Sequence, residues 1–219
     1  MSGKFKSLQA LVKEKNPQCI WTHCMIHREA LAAKELSPGL NIVFTTVVTV
    51  INYIKMRPLK SRLFSELCKD MGAEHSVLLF YCETRWLSRG KCLQRVYELR
   101  NEIAIFLEEE NREEAENFRN DLFIMKLSYL VDIFEKSNIL NLQFQGKNTH
   151  ILQMNDKVNS FCRKLELWNA NVKQKNLEMF KHVDECVKTY KAEEQHIRVL
   201  FKTIENHLTI LVKNFKKIL

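Results

Sequence analysis

Apolar residues recur every three or four positions through the second half of the chain, which is the spacing of one face of an α-helix. Segments 151–172 and 197–218 show this pattern most regularly. The positions are Ile151, Met154, Val158, Phe161, Leu165, Trp168 and Val172, and then Ile197, Phe201, Ile204, Leu208, Leu211, Phe215 and Ile218. Each segment predicts an amphipathic helix, and a place in the core of a helical bundle is favoured over a partner groove for its apolar stripe.

A third long helix is predicted from Glu113 onward, with a break near Gln145–Gly146. Its positions include Leu122, Met125, Tyr129, Val131, Asp132 and Leu140. Shorter helices are predicted upstream, at 4–15, 27–36, 59–71 and from 88 to about 110. Gly72 is a candidate C-cap for the third of these. The short apolar runs 19–24 and 77–82 are compatible with a strand and with extended chain, respectively.

The segment Leu40–Ile54 is ambiguous in its pattern. Its many β-branched residues favour a strand, whereas its length favours a buried helix, which we predict. Polar residues such as Asn41, Thr45 and Asn52 interrupt it. It falls short of the roughly 18 apolar residues that a membrane span needs, so we expect a buried element and no membrane contact.

Composition supports a mainly α fold, because 5 Gly and 3 Pro are too few for the many tight turns of a sheet-rich protein. The 7 cysteines are odd in number and scattered, without a Cys-x-x-Cys pair, and Met1–Lys15 lacks the apolar core of a signal peptide. We therefore expect reduced thiols and an intracellular protein of the nucleus or cytoplasm.

The formal net charge of +8 raises nucleic acid as a partner, although only weakly for a chain of this size. The cations fall into two clusters: Lys55, Arg57, Lys60, Arg62 and Lys69, and then Arg85, Arg89, Lys91, Arg95 and Arg100. An acidic run, Glu108–Glu116, follows them, and such runs are usually solvated faces.

Two kinds of chemistry were considered for Cys24 and His27. A structural zinc site needs four ligands, usually from two paired knuckles, and the sequence offers one Cys-x-x-His. A Cys–His nucleophile pair needs the two side chains to face each other and an orienting group, and no further signature of a protease supports it. A packed cysteine and a hydrogen-bonded histidine are therefore favoured, with no metal, no cofactor and no small-molecule substrate expected.

The segment Thr84–Gly90 places Trp86 between Arg85 and Arg89, with Lys91 and Arg95 close behind. An aromatic ring can stack on an exposed base while cations hold phosphates. The alternative is that Trp86 fills the core and that the cations are solvated. Spacing alone does not separate these two interpretations.

Two segments then carry a family resemblance. Trp21-Thr-His-Cys24-Met-Ile-His27 resembles the Cys-x-x-His signature of hAT-superfamily DNA transposases, and Glu83-Thr-Arg85-Trp86-Leu-Ser-Arg89-Gly90 resembles their downstream Arg-Trp signature. The stretch Leu127–Phe134 and the following Leu140–Lys147 are similar to domesticated vertebrate relatives, which include BED-type zinc-finger, SCAN-domain-containing and general transcription factor II-I repeat proteins.

The resemblance implies an RNase H-like core interrupted by a large helical insertion. It implies that residues 1–36 are a helix–strand–helix remnant of that core and that 37–219 are the insertion. It places the three metal-binding acids of the family, and its zinc finger, outside this sequence. Since two-metal strand cleavage needs such carboxylates, we expect no catalytic residues and no enzymatic activity.

The resemblance further implies that Cys24 and His27 support the structure and that Trp86 stacks on a flipped base. We therefore predict a catalytically inactive, transposase-derived protein that binds nucleic acid, most simply DNA, or protein. The alternatives are a helical scaffold that binds proteins alone through its helical faces, a part of a larger transposase-like protein, and an active nuclease, which the missing acids argue against.

Overall fold

The computed structural model describes residues 7–19, 24–82, 86–146, 150–190 and 193–218. Within those ranges every regular element is a helix and no strand occurs, which confirms the mainly α prediction. The helices are α1 (Leu8–Lys15), α2 (Met25–Ala32), α3 (Pro38–Lys55), α4 (Pro58–Asp70), α5 (Trp86–Glu98), α6 (Arg100–Glu109), α7 (Ala115–Arg119), α8 (Asp121–Phe144), α9 (Ile151–Lys173), α10 (Lys181–Tyr190) and α11 (Glu194–Lys216).

The central element is α8, because it is apolar on nearly every side. From Phe123 to Phe134 each residue except Lys126 is buried. A helix that is apolar all round belongs in a protein interior. Accordingly, α8 packs against α2, α3, α5, α7, α9, α10 and α11.

The two regular stripes pair with each other. Helices α9 and α11 pack side by side, and the Phe161 and Phe215 rings meet at a centroid distance of 5.0 Å. Val158, Leu165 and Leu208 are fully buried. The core interpretation of both stripes is thereby confirmed, although the first position, Ile151, is exposed.

The ambiguous segment 40–54 is helical, as predicted, within α3. Leu40, Val43, Val47, Val50 and Ile54 are buried at helical spacing and pack toward α8 and α4. Among the described residues no single helix is long and apolar enough to cross a membrane. Helices α3 and α4 pass that test together, by length and composition alone, but a bend of 101° separates them.

Gly72 ends α4 as predicted. Its φ of +69° lies in the left-handed region, which costs glycine little. The Gly72 N–H donates to the Lys69 carbonyl, and the Ala73 N–H donates to the Cys68 carbonyl at 2.9 Å. This pair of bonds is a Schellman motif, which satisfies the last carbonyls of the helix.

Several predicted helix boundaries were wrong. The single helix predicted from Glu113 onward is two helices, α7 and α8, separated at Asn120. Helix α5 begins two residues before the predicted start at position 88. The segment 88–110 is two helices, since the chain turns at Leu99 and Arg100 donates to the Tyr97 carbonyl at 2.7 Å. Helix α2 ends at Ala32 instead of residue 36. Helix α10 was not predicted at all.

The predicted N-terminal remnant lies partly outside the described residues. Residues 20–23 of the run 19–24, and 4–6 of the first predicted helix, are among those not described. Helix α2, which falls inside the predicted 1–36 unit, packs against α8 and α11. Residues 25–32 thus contribute directly to the helical bundle.

Candidate nucleic-acid interface

Residues 77–82 run along α5 without regular secondary structure, and three side chains of α5 hold their main chain. Ser88 Oγ donates to the Cys82 carbonyl at 2.9 Å and also accepts from its N–H. The Cys92 thiol donates to the Phe80 carbonyl at 3.2 Å, and Arg95 Nη1 donates to the Val77 carbonyl at 3.0 Å. Positions 88, 92 and 95 share one helix face, so the two segments are joined along their length.

Burial keeps the Cys92 thiol protonated, as its hydrogen bond to the Phe80 carbonyl requires. It raises the pKa of the thiol to about 11. At neutral pH the sulfur therefore carries its proton and acts as a donor. The extended segment that leads into the Arg-Trp signature is consequently fixed in place by α5.

Helix α5 approaches α8 closely at Gly90. A Cβ built there would lie 2.4 Å from Asn138 Nδ2 and 3.5 Å from the Phe134 carbonyl oxygen. Real Cβ atoms essentially never come so close to another heavy atom, so a larger residue at position 90 would require the Asn138 side chain to shift. The glycine of the signature therefore has a packing role between the two helices.

The predicted interface residues have different positions in the structure. Trp86 is the first residue of α5; its side chain and the whole of Arg85 lie outside the described residues. Arg89 is only 4% exposed, and its guanidinium lies over the Phe44 ring at 4.9 Å. Lys91 is exposed, whereas Arg95 is held by Val77 and Glu98. Arg89 and Arg95 are thus placed to stabilise the fold, which leaves little of either for a phosphate.

Lys91 and Arg95 do share a face of α5, as expected, and both line a cleft of about 450 Å³ between α5 and α8. His182 of α10 reaches the same cleft. Its Nδ1 lies 2.7 Å from Oδ1 of the buried Asp132, and the hydrogen bond to this carboxylate raises the pKa of the imidazole.

Asp132 has a second role at the start of α10. Its carboxylate also accepts from the backbone N–H groups of His182 and Val183, at 3.3 and 3.1 Å. A carboxylate there satisfies free donors and complements the helix dipole. Sequence analysis had noted Asp132 as a member of an apolar segment, but nothing in the sequence links it to a helix fifty residues later.

Cys24 and His27 lie at the start of α2, and both side chains are exposed, so the expectation of a packed cysteine was wrong. Cys24 precedes the helix without a side-chain capping bond. In the part of the chain that is described, no three His, Cys, Asp or Glu side chains are placed to hold a metal ion. His23 lies outside that part.

A basic surface forms at the corner between α3 and α4, and sequence analysis had noted only its charge. Lys55 Nζ lies 4.6 Å from the centroid of the Phe80 ring, and the Arg57 guanidinium lies at the same distance from the Tyr53 ring. Arg112 lies over Tyr53 as well, at 4.8 Å. The corner thus combines cations with aromatic faces.

Three of the six glutamates in the acidic run beside this corner pair with cations, whereas Glu109, Glu113 and Glu116 are exposed. Glu110 accepts from the Tyr53 hydroxyl at 2.7 Å and pairs with Lys60. Glu108 pairs with Arg119 at 2.6 Å, and Glu114 pairs with Arg112 at the same distance. The run therefore ties α3, α4, α6 and α7 together instead of forming a purely solvated face, as had been expected.

The amino-acid sequence is similar to that of a known protein family. Residues 23–173 match the family described as FAM200-GTF2IRD2-like, FAM200/GTF2IRD2 helical domain. A curated relative, general transcription factor II-I repeat domain-containing protein 2 of Bos taurus, is 33% identical over 157 residues. That alignment covers 72% of this chain and 16% of the relative, so the chain spans about a sixth of the relative's length. No solved structure matches the chain. The chain belongs to the FAM200/GTF2IRD2-like helical-domain family.

Proposed function

We propose that this chain is the helical part of a transposase-derived, non-enzymatic protein that binds nucleic acid in the nucleus. Residues 37–219 would correspond to the helical insertion, and 1–36 to what remains of the RNase H-like core. One observation carries the proposal. The Arg-Trp signature lies where α5 begins, and the segment leading into it is fixed by main-chain bonds to α5.

The position of Trp86 suits base stacking. It is the first residue of α5, where free backbone N–H groups and the helix dipole favour a phosphate. The first turn of α5 has no acidic residue, and Lys91 is exposed one turn later. The name of the bovine relative, general transcription factor II-I repeat domain-containing protein 2, is in keeping with a nuclear role in transcription.

The direct test is replacement of Trp86 with Ala, read as the affinity for a fluorescent single-stranded oligonucleotide. Because a stacked base contributes about 1–3 kcal/mol, affinity should fall about five-fold or more while the melting temperature barely moves. The parent's affinity should also weaken steeply with salt, as phosphate binding does. If the melting temperature instead falls sharply and binding is lost only because the variant unfolds, Trp86 has a packing role.

Absence of catalysis is tested separately. We expect no metal-dependent nicking of plasmid by the purified chain in Mg²⁺ or Mn²⁺, because the resemblance places the metal-binding acids elsewhere. Nicking that follows the protein through purification and stops on chelation would reverse this part of the proposal.

A second candidate function is a scaffold that binds proteins alone. It is favoured by two exposed apolar residues in the second half of α8, Ile139 at 51% and Leu142 at 55% exposure. A scaffold of this kind gives no change in oligonucleotide anisotropy at any salt concentration. The same titration therefore separates the two functions.

A further inference from the structure

The corner between α3 and α4 has an unusual charge pattern. No carboxylate occurs between Glu35 and Glu66, while Lys55, Arg57, Lys60 and Arg62 all fall in that interval. Lys60 is paired with Glu110, whereas Arg57 and Arg62 are exposed. Glu110 also lies at this corner, but it is engaged by Lys60 and Tyr53. The exposed Arg57 and Arg62 therefore give the surface of the corner a positive charge, which attracts polyanions.

Phe80 projects from the extended segment at this corner. Its side chain is unusually open for a phenylalanine, at 63% exposure. The Lys55 ammonium lies 4.6 Å from the ring centroid, which leaves much of the ring surface open to solvent. An exposed ring with a cation beside it is the pairing that single-strand binding proteins use for a base and its phosphate.

The position of Phe80 is fixed before any ligand arrives. Its carbonyl accepts from Cys92, and the neighbouring Tyr81 ring packs edge-on against Phe44 at 5.7 Å. A ligand that stacks on Phe80 therefore does not have to order the chain, which lowers the entropic cost of binding. Two residues later, Cys82 is bonded to Ser88 in the first turn of α5, so the ring lies on the same anchored segment that leads to Trp86.

We propose that Phe80, Lys55 and Arg57 form a second nucleic-acid contact, in which an unpaired base stacks on Phe80 and adjacent phosphates lie against the two cations. The proposal rests on the nucleic-acid role given above and names single strands as its ligand. A duplex offers no free base face to Phe80, so it gains only the phosphate contacts.

An acidic protein segment is the competing occupant of a cationic, partly apolar surface. An acidic peptide and a single-stranded nucleic acid require different side chains at position 80. A peptide packs on any apolar side chain there, whereas base stacking needs an aromatic face. Replacement of Phe80 with Leu and with Trp therefore distinguishes the two occupants.

The experiment measures anisotropy of a labelled oligothymidylate and of a matched duplex, with the parent chain, Trp86→Ala and four further variants. We expect Phe80→Leu to weaken single-strand binding about five-fold or more and duplex binding much less, and Phe80→Trp to restore it. Lys55→Ala should weaken both ligands and make the salt slope shallower by about 0.7 for the single strand. Lys202→Ala, which removes an exposed cation of α11, is the control and should change little.

The possible outcomes distinguish failure of the second contact from failure of the proposed function. If Phe80→Leu and Lys55→Ala bind like the parent while Trp86→Ala does not, the second contact is wrong and the proposed function stands. If Phe80→Leu weakens binding and Trp86→Ala does not, the second contact stands and the assignment of Trp86 is wrong. Equal losses for single strand and duplex would exclude stacking on Phe80. A parent chain that binds neither ligand at low salt overturns both proposals.

Discussion

Glu29 is the carboxylate whose removal we expect to stabilise the protein. It lies on α2 with no exposed surface, where α2 packs against α8. Oε2 accepts from Asn141 Nδ2 at 2.6 Å, while Oε1 has no hydrogen-bond partner among the described residues. One neutral hydrogen bond does not replace the hydration of a carboxylate, so burial should hold the group in its protonated form.

The magnitude follows from the pKa of Glu29. Burial raises it from 4.5 to about 7, and the hydrogen bond from Asn141 opposes this only in part. Since the folded state keeps the proton more tightly, the stability is complete below the unfolded pKa and is lost as pH rises through the folded pKa. At 1.36 kcal/mol for each pH unit, the ionised group destabilises the protein by about 3 kcal/mol above pH 7.

The perturbation is Glu29→Gln, which keeps the shape and the acceptor for Asn141 but cannot ionise. We expect the variant to match the parent at pH 4.5 and to be more stable by up to about 3 kcal/mol at pH 8. For a chain of this size that is a rise of about 5–10 °C in melting temperature. Urea unfolding of both proteins at each pH gives the difference in their free energies of unfolding. The contributions of other titrating groups are the same in both proteins and cancel in this difference.

A matched control is Glu116→Gln on α7, where the side chain is exposed. It should change stability by less than about 0.5 kcal/mol at either pH. A difference between Glu29→Gln and the parent that stays constant from pH 4.5 to 8 would refute the reasoning, because Glu29 would then not titrate in that range. So would a variant clearly less stable than the parent at pH 8, since the buried charge would then be favourable.

Three further changes test other parts of the fold. Gly90→Ala places a Cβ against Asn138 and should lower the free energy of unfolding by about 1–3 kcal/mol, part of which Asn138→Ala should restore. An unchanged melting temperature would contradict the close approach of α5 to α8. Gly72→Ala should cost about 1–2 kcal/mol in urea unfolding because of its positive φ, and a neutral effect would mean that α4 ends differently. Asp132→Asn should lower the pKa of His182, which imidazole NMR can follow. It should also remove the stability that the pair contributes below pH 6.5, a contribution that the parent loses as pH rises through the raised pKa of His182. An unchanged pKa would show that the carboxylate does not cause the shift.

The long helices could be predicted from sequence because their evidence is local and repeated. Leu40–Ile54 was assigned correctly because its length outweighed its β-branched composition, which is a weak preference beside the burial of one helical face. Helix α10 escaped prediction because only Val183 and Cys186 are fully buried along its ten residues. Its start depends on Asp132, a partner that is remote in the sequence.

The candidate site was predictable in its chain position but not in its chemistry. The signature drew attention to Trp86, but the helix was predicted to begin at Ser88, whereas α5 begins at Trp86. Charge alone, however, gave no means of separating the buried Arg89 from the exposed Lys91. Phe80 was missed because an apolar residue in an apolar run predicts burial, and only the tertiary structure shows it at the surface.

The attachment of residues 77–82 to α5 bears on how this protein can diverge. The helix grips carbonyl groups, which every amino acid has, so the path of the segment is independent of most side chains upon it. The exceptions are Leu78, which is buried at 2% exposure, and Tyr81, whose ring packs against Phe44. Val77 and Phe80 are thus free to vary among paralogues, or in a designed library, and to alter ligand preference while the scaffold beneath them is inherited unchanged.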